Sequence, residues 1–426
     1  MKIAVWGNEL IGWTAATAFA EYGNQVHINQ HLSKQESLGE QSGENTILFN
    51  EPGLLAHVKA QYDKSNIVFG SPVDALNCPI QILALHPDNI EFAKEIIQSV
   101  TRQHQQQLVV INYSTFGLGA TDSLAELLNS EKKQSIAYIP DQLSEGSAYE
   151  NFIQAKTLVI GCEDNEATIL IKALYKPFSR HLDQLLIVKP REAEFMKFAV
   201  NGMLAMRLGY VNELANLADQ LDIDIDTITA GMGSDPRIGK HYLSPGCGFG
   251  GSHFSKSIKN MAELLQSKRN SIILNTLLEE NEKQKLIPFR KFWQHYKADV
   301  KGRKVAVWGL SFKPNTASIQ NAPSIEVVKT LLSQGCTVQA HDPQAMLNFS
   351  KLFPATGQIA YYENAIDAVK DVDALIILTE WNEYWSPDYH KMIELMNNSI
   401  VIDGRNVMDK ELMLDFNIIY YGIGRQ

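Results

Sequence analysis

Cysteine is scarce and dispersed. Cys78, Cys162, Cys247 and Cys336 are all there is in 426 residues, with no C-x-x-C pair among them. That spacing excludes a disulfide scaffold and a thiolate zinc site, and it fits a reduced compartment. Eleven histidines are equally scattered, and with no H-E-x-x-H grouping a metal site is not expected. Basic charge is not in excess: the formal net charge is -10. General binding to nucleic acid or anionic membranes is thereby disfavoured, although a local basic pocket for an anionic ligand is not. No apolar run reaches the length of a membrane span, and no secretory leader precedes the first apolar run. A cytoplasmic protein is the expectation.

What is present is ordinary for a globular chain of two or three domains: 45% hydrophobic and 20% charged residues, enough to bury a sizeable core. The first 160 or so residues alternate short apolar runs with helical patterns. KIAVWG (2–7), QVHIN (25–29), IQILAL (80–85), LVVINYS (108–114) and TLVIG (157–161) read as strands. The intervening WTAATAFAEYG ends at Gly23, where a helix C-terminus is expected. This is the pattern of parallel β-α-β units. From about Arg191 long helical periodicity takes over, followed by the glycine-rich loop SPGCGFGGSHFSKS (244–257) and a second helical run from Ile258 towards Tyr296. Then the opening recurs: KVAVWG at 304–309 repeats KIAVWG, and TVQAHDP (337–343), ALIILTEW (374–381) and IVIDGRN (400–406) continue as strands. The fold expected is therefore α/β, with two Rossmann-like, doubly wound parallel sheets joined by a helical region. The expected boundaries are 1–190, 191–299 and 300–426.

The first strand and turn, KIAVWGNELIG, nearly complete the G-x-G-x-x-G dinucleotide fingerprint with Gly7 and Gly12. Its middle position is Glu9. There a Cβ obstructs the close approach of a pyrophosphate, and a carboxylate repels it. Gln30, after the second strand, stands where an acid would hold a ribose.

Over nearly its whole length the chain resembles the UDP-glucose/GDP-mannose dehydrogenase family, and most of all its UDP-glucose 6-dehydrogenase branch. The resemblance is carried by EPGL (51–54), YSTFGLGAT (113–121), PDQLSEGSA (140–148), EFMKFAVN (194–201), DPRIG (235–239), GFGGSHFSKS (248–257), GLSFKPNT (309–316), TEW (379–381) and DGRN (403–406). It implies an NAD-type domain, a dimer-forming helical middle and a C-terminal domain that helps hold the nucleotide of a UDP-sugar. It also implies two successive NAD-dependent oxidations of the sugar C6 alcohol, through a cysteine-bound thiohemiacetal and thioester. Lys197 and Asn201, four apart on one helix face, match the family's oxyanion-stabilising pair. Thr115 and Glu145 also match, and Asp141 stands where the family has a catalytic glutamate. Arg237 matches the arginine that reaches the sugar from a neighbouring subunit. Phe249, Gly250 and Gly251 match the sugar-side loop, Lys256 is retained beside it, and Lys313 and Arg405 match basic positions near the nucleotide. Taken alone, Lys197 with Asn201 reads equally as a solvated helix face, and Arg237 as a surface ion pair.

The departures have a pattern. His253 occupies the position of the nucleophilic cysteine and Ser257 that of an aspartate, while Cys247 lies six residues too early to replace the thiol. On the cofactor side Glu9 and Gln30 are joined by His86, Tyr113 and the stretch Ala317, Ser318 and Gln320, where the family has other residues. Aldehyde oxidation by hydride transfer needs a tetrahedral adduct, which a thiolate supplies. The sequence therefore predicts a homodimer that binds a UDP-sugar, or a protein partner of the same polysaccharide pathway, without four-electron oxidation and without NAD in the usual pose. The alternative is an NAD-dependent UDP-sugar oxidoreductase that stops after two electrons, for which Lys197, Asn201, Thr115, Asp141 and Glu145 remain and His253 is a candidate base.

Overall fold

The computed structural model describes residues 1–29, 51, 53–69 and 72–425. Gln30 and Pro52 lie outside the described residues. The chain divides into two compact units, Met1–Ala199 and Val200–Gln426.

The first unit contains an eight-stranded sheet of described residues: β1 (Lys2–Trp6), β2 (Gln25–Asn29), β3 (Ile67–Phe69), β4 (Ile80–Leu83), β5 (Leu108–Asn112), β6 (Gln134–Tyr138), β7 (Thr157–Gly161) and β8 (Gln184–Val188). Their order is β3-β2-β1-β4-β5-β6-β7-β8, whose first six strands follow the doubly wound dinucleotide order. β1, β4 and β5 read as near-continuous apolar runs because helices cover both faces; every residue of Leu108–Asn112 is buried. The helix Leu10–Glu21 is buried continuously from Ile11 to Ala20. Phe19 stacks edge-on with Phe152 and Tyr175 at 5.5 Å each, and helix and sheet thus share one core.

One pairing departs from the expected all-parallel arrangement. β7, expected as one more parallel strand, meets β6 antiparallel at Tyr138 and Gly161, and β8 then pairs parallel to β7. β3, β6 and β8 also escape the sequence reading. β3 is three residues long, and β6 and β8, QSIAY and QLLIV, are too polar or too exposed to stand out as buried runs.

The second unit repeats the scheme with β9 (Lys304–Trp308), β10 (Thr337–His341), β11 (Ile359–Tyr361), β12 (Ala374–Ile377), β13 (Ile400–Asp403) and β14 (Ile419–Tyr421), ordered β11-β10-β9-β12-β13-β14 and parallel throughout. Its helical part does not form one long run after the glycine loop. It forms three helices, Ser252–Arg269, Ile273–Gln284 and Ile287–His295, broken where Asn270 adopts a left-handed φ of 52° and where Pro288 enters a new first turn. The glycine loop therefore ends at Gly251. His253, Lys256 and Ser257, expected in a loop, lie in the first turns of the helix Ser252–Arg269.

The repeated glycine turns have one steric cause. Gly7 has φ +109°, and a Cβ there would stand 2.1 Å from the Ala84 carbonyl oxygen. Gly309 has φ +91°, and its Cβ would meet Thr379 at 2.5 Å. Gly12 lies against β4 in the same way, 2.7 Å from the Ala84 Cβ. Gly23 shares the left-handed backbone, φ +82°, but faces open space. Gly7→Ala is expected to lower unfolding free energy by about 3 kcal/mol or more, overpacking added to backbone strain, and Gly23→Ala by about 1 kcal/mol. Urea denaturation of the two variants separates these costs.

Candidate functional site

In the first unit, two loops leave the C-terminal ends of neighbouring strands. The loop after β5 carries Thr115, and the loop after β6 carries Asp141 and Glu145. The Lys197 ammonium, one-sixth exposed, donates to the Asp141 main-chain oxygen and lies 3.1 Å from Asp141 Oδ1. The Thr115 side chain lies beside the buried Tyr138 phenol. Burial pushes that phenol's pKa up, the nearby Asp141 charge adds to the rise, and the adjacent Thr115 partly opposes it. Lys197 and Asp141 thus form an ion pair near Tyr138, and Glu145 follows in the same loop as Asp141, half-buried.

Two residues the sequence reading passed over hold these loops. Glu194, 3% exposed, accepts from the amides of Gly119 (2.6 Å) and Thr121 (2.8 Å). Burial raises its pKa against the pull of these donors. Glu51 accepts from the amides of Gly146 (2.6 Å) and Ala148 (2.5 Å). Only the EPGL motif pointed towards Glu51. Tyr113, expected as a cofactor-side change, belongs to the core, where its hydroxyl meets that of Tyr175. His86 lies in an exposed turn beside Asp88, 3.3 Å away. Glu9 is the N-cap of the helix Leu10–Glu21, with an extended φ of -68° that any residue adopts. The retained Gly7 and Gly12 are demanded by contact with Ala84, a requirement of the fold itself.

In the second unit the glycine loop is clasped on all sides. The Asn281 carboxamide accepts from Phe249 N (2.9 Å) and donates to Phe249 O (3.0 Å). A Cβ on Gly250 would stand 2.5 Å from the Asn321 oxygen, and one on Gly251 would stand 2.9 Å from the Phe312 ring. Gly251 N donates to Gln320 O, and Phe312 N to Ser318 O, so the divergent stretch 317–320 supports the loop through its backbone. Phe249, expected at the sugar, is 9% exposed and packs edge-on against Phe254 at 5.3 Å. It borders a cleft of about 660 Å³ between the helices Ser252–Arg269 and Ile273–Gln284, lined also by Ser255, Lys259, Asn275, Asn281 and Asn321. Asn201 donates to the buried Ser257 hydroxyl at 2.9 Å. His253 is exposed in the first turn of its helix, and Lys256 follows half-buried one residue before Ser257.

Arg405, expected near a nucleotide, is a backbone clamp. It donates to Leu378 O (2.9 Å) and Gly248 O (3.1 Å) and pairs with Glu380 at 3.2 Å. The Lys313 ammonium lies 5.5 Å from the centre of the Phe312 ring. Arg237 is held out into solvent, 87% exposed, by Asp235 at 2.7 Å. That pairing holds the Asp235 carboxyl below its ordinary range. Arg207 grips the same turn through Ile238 O (3.0 Å) and Gly239 O (2.9 Å). At the tip of β10, where a dinucleotide fold would present a ribose-binding acid, the fully buried Asp342 accepts from Leu310 N (2.7 Å), Ser311 N (3.0 Å) and Trp381 Nε1 (3.1 Å). The first turn of this second sheet is thus filled by the protein's own carboxylate.

All four thiols are buried and unbridged. Cys247 is fully enclosed, its Sγ 3.8 Å from Leu378 O, and burial pushes its pKa up against the nearby Arg405 charge. Among the described residues no group of three or more His, Cys, Asp or Glu is arranged to hold a metal ion, and no helix is long and apolar enough to cross a membrane.

Two sheets in the doubly wound order, each opened by a glycine turn against its fourth strand, define a protein of the double Rossmann-like class. The chain belongs to the UDP-glucose/GDP-mannose dehydrogenase family. Residues 1–179 match that family's NAD binding domain, 191–283 its central domain and 306–410 its UDP binding domain. It is 31% identical to a UDP-glucose 6-dehydrogenase of Pseudomonas aeruginosa, over 100% of this chain and 98% of that protein. It is 28% identical to the UDP-glucose 6-dehydrogenase TuaD of Bacillus subtilis, over 100% and 93%. A solved UDP-glucose dehydrogenase from the archaeon Pyrobaculum islandicum superposes with a TM-score of 0.83 at 26% identity, covering 100% of this chain and 98% of that one.

The buried thiols yield a direct expectation. With DTNB the native protein is expected to show no fast-reacting cysteine, and the unfolded protein all four. A fast thiol in the native state that disappears in Cys247→Ser would show that the loop opens.

Proposed function

We propose that this protein binds a UDP-sugar and does not carry it through a four-electron oxidation. The observation that carries the reading is the burial of the thiols: the one cysteine of the glycine loop, Cys247, is fully enclosed, and by the resemblance of the sequence the family's nucleophile position falls on His253. Without a thiolate at the sugar no thiohemiacetal forms, and the second oxidation has no tetrahedral hydride donor.

The NAD-type turn does not fit a pyrophosphate. Gly7 and Gly12 persist because contact with Ala84 demands them, while the position a dinucleotide would need as glycine is Glu9, whose carboxylate belongs to the first residue of a helix N-terminus that would otherwise attract phosphate. UDP-glucose is expected to raise the Tm of the protein. NAD titrated into the UDP-glucose-saturated protein is expected to give no heat up to millimolar concentrations. The His253→Cys, Ser257→Asp double variant is expected to form no NADH, because Glu9 remains.

A second reading, an oxidoreductase that removes two electrons only, is favoured by the ordered Lys197–Asp141 pair and by Thr115 beside Tyr138. A lysine so placed would stabilise a developing alkoxide. Micromolar NAD affinity, about -8 kcal/mol, together with UDP-glucose-dependent NADH formation, would establish it in place of the first.

The middle region, 191–299, is proposed to form a homodimer. Along the helix Pro190–Leu221 the side chains of Val200, Met203, Met206, Tyr210, Leu217 and Leu221 are exposed, largely at helical spacing, an apolar stripe unusual on a free surface. In such a dimer Arg237 would be supplied to the partner copy. Light scattering is expected to give twice the chain mass, and Met203→Glu with Tyr210→Glu to give the monomer mass with the far-ultraviolet spectrum unchanged.

A further inference from the structure

We propose that Glu51 and Glu194 are positioning residues that set the two loops carrying Thr115 and the Asp141–Glu145 pair. The inference rests on the reading that these loops face a UDP-sugar. Both carboxylates are nearly enclosed, 6% and 3% exposed, and a buried charge is costly unless fully hydrogen-bonded. Each meets that cost by taking two backbone amides at the far end of one loop: Glu194 from Gly119 and Thr121, Glu51 from Gly146 and Ala148.

Those amides open the short helices Ala120–Ala125 and Ala148–Ile153, which a neighbouring side chain could have capped. Ser147 stands at the cap of the second helix and makes no capping bond, and Gly119 at the cap of the first has no side chain to offer. The caps come instead from 75 and 95 residues away in the chain. A local cap would stabilise the helix equally well; a remote one also fixes where the loop lies. Glu194 precedes Lys197 by one turn, so the helix that holds the Thr115 loop also holds Asp141 through its ammonium. Three tethers, Glu194, Lys197 and Glu51, therefore hold the two loops.

The test compares Glu51→Gln and Glu194→Gln in the full chain, since an amide keeps the size but opposes one N–H with another. In Glu194→Gln, hydrogen exchange is expected to accelerate about tenfold over residues 117–122 only, and in Glu51→Gln over 145–149 only. UDP-glucose affinity by calorimetry is expected to fall about tenfold in each. The fall in Glu51→Gln is expected to vanish in an Asp141→Ala, Glu145→Ala background, which a merely structural role would not produce. Faster local exchange with unchanged affinity, or a loss that persists in full in that background, overturns the proposal. If the unaltered protein binds no UDP-glucose, the reading under Proposed function fails by itself, and unchanged exchange in both loops would then separately overturn the tethers. Should either glutamine variant not fold, Glu51→Asp and Glu194→Asp, which keep the charge and lose the reach, are expected to show the same pattern.

Discussion

The rest of the structure depends on a steric constraint met twice: the chain leaving the first strand of each sheet passes so close to the fourth strand that no Cβ fits. At Gly7 the obstacle is the Ala84 carbonyl, and at Gly309 it is Thr379. This contact lies where the strand order reverses, between β1 and β4 and between β9 and β12. That reversal creates the crevice beside the C-terminal strand ends from which site loops emerge. The constraint explains why KIAVWG and KVAVWG recur. One leads to Glu9 and the other to amides already satisfied by Asp342.

Separating what the fold requires from what a ligand requires gives the divergent positions their meaning. Gly7, Gly12, Gly250 and Gly251 all face atoms within 3 Å of a would-be Cβ, so their retention says little about ligands. Glu9, by contrast, has a backbone conformation open to any residue, and a glycine there would serve only the approach of another molecule. Likewise the GFGG run is kept by Phe312, Asn321 and Asn281.

The first unit's site is a polar network with long reach. Its side chains come from the segment before one helix, from the loops after β5 and β6, and from the turns before Lys197. Carboxylates bonded to backbone amides in a low-dielectric setting are strong and directional, and they add to the apolar contacts of Tyr113, Phe116, Ile139 and Leu143 in fixing these loops.

Much of this was legible in the chain itself. Apolar runs such as LVVIN and ALII disclosed the strands because both sheet faces are covered, and Lys197 and Asp141, named from ordered motifs, form an ion pair. Local pattern alone determined the two doubly wound sheets, the helical middle and the isolated thiols, since periodicity and spacing report burial directly. Only the tertiary structure decided that β7 runs antiparallel to β6, that Tyr113 and Phe249 are core residues, that Arg405 grips main-chain oxygens, and that Glu51 and Glu194 hold the loops. The physical reason is the same in each case: strand direction and the partner of a buried charge depend on groups tens to more than a hundred residues away, and no local window of sequence contains both members of such a pair.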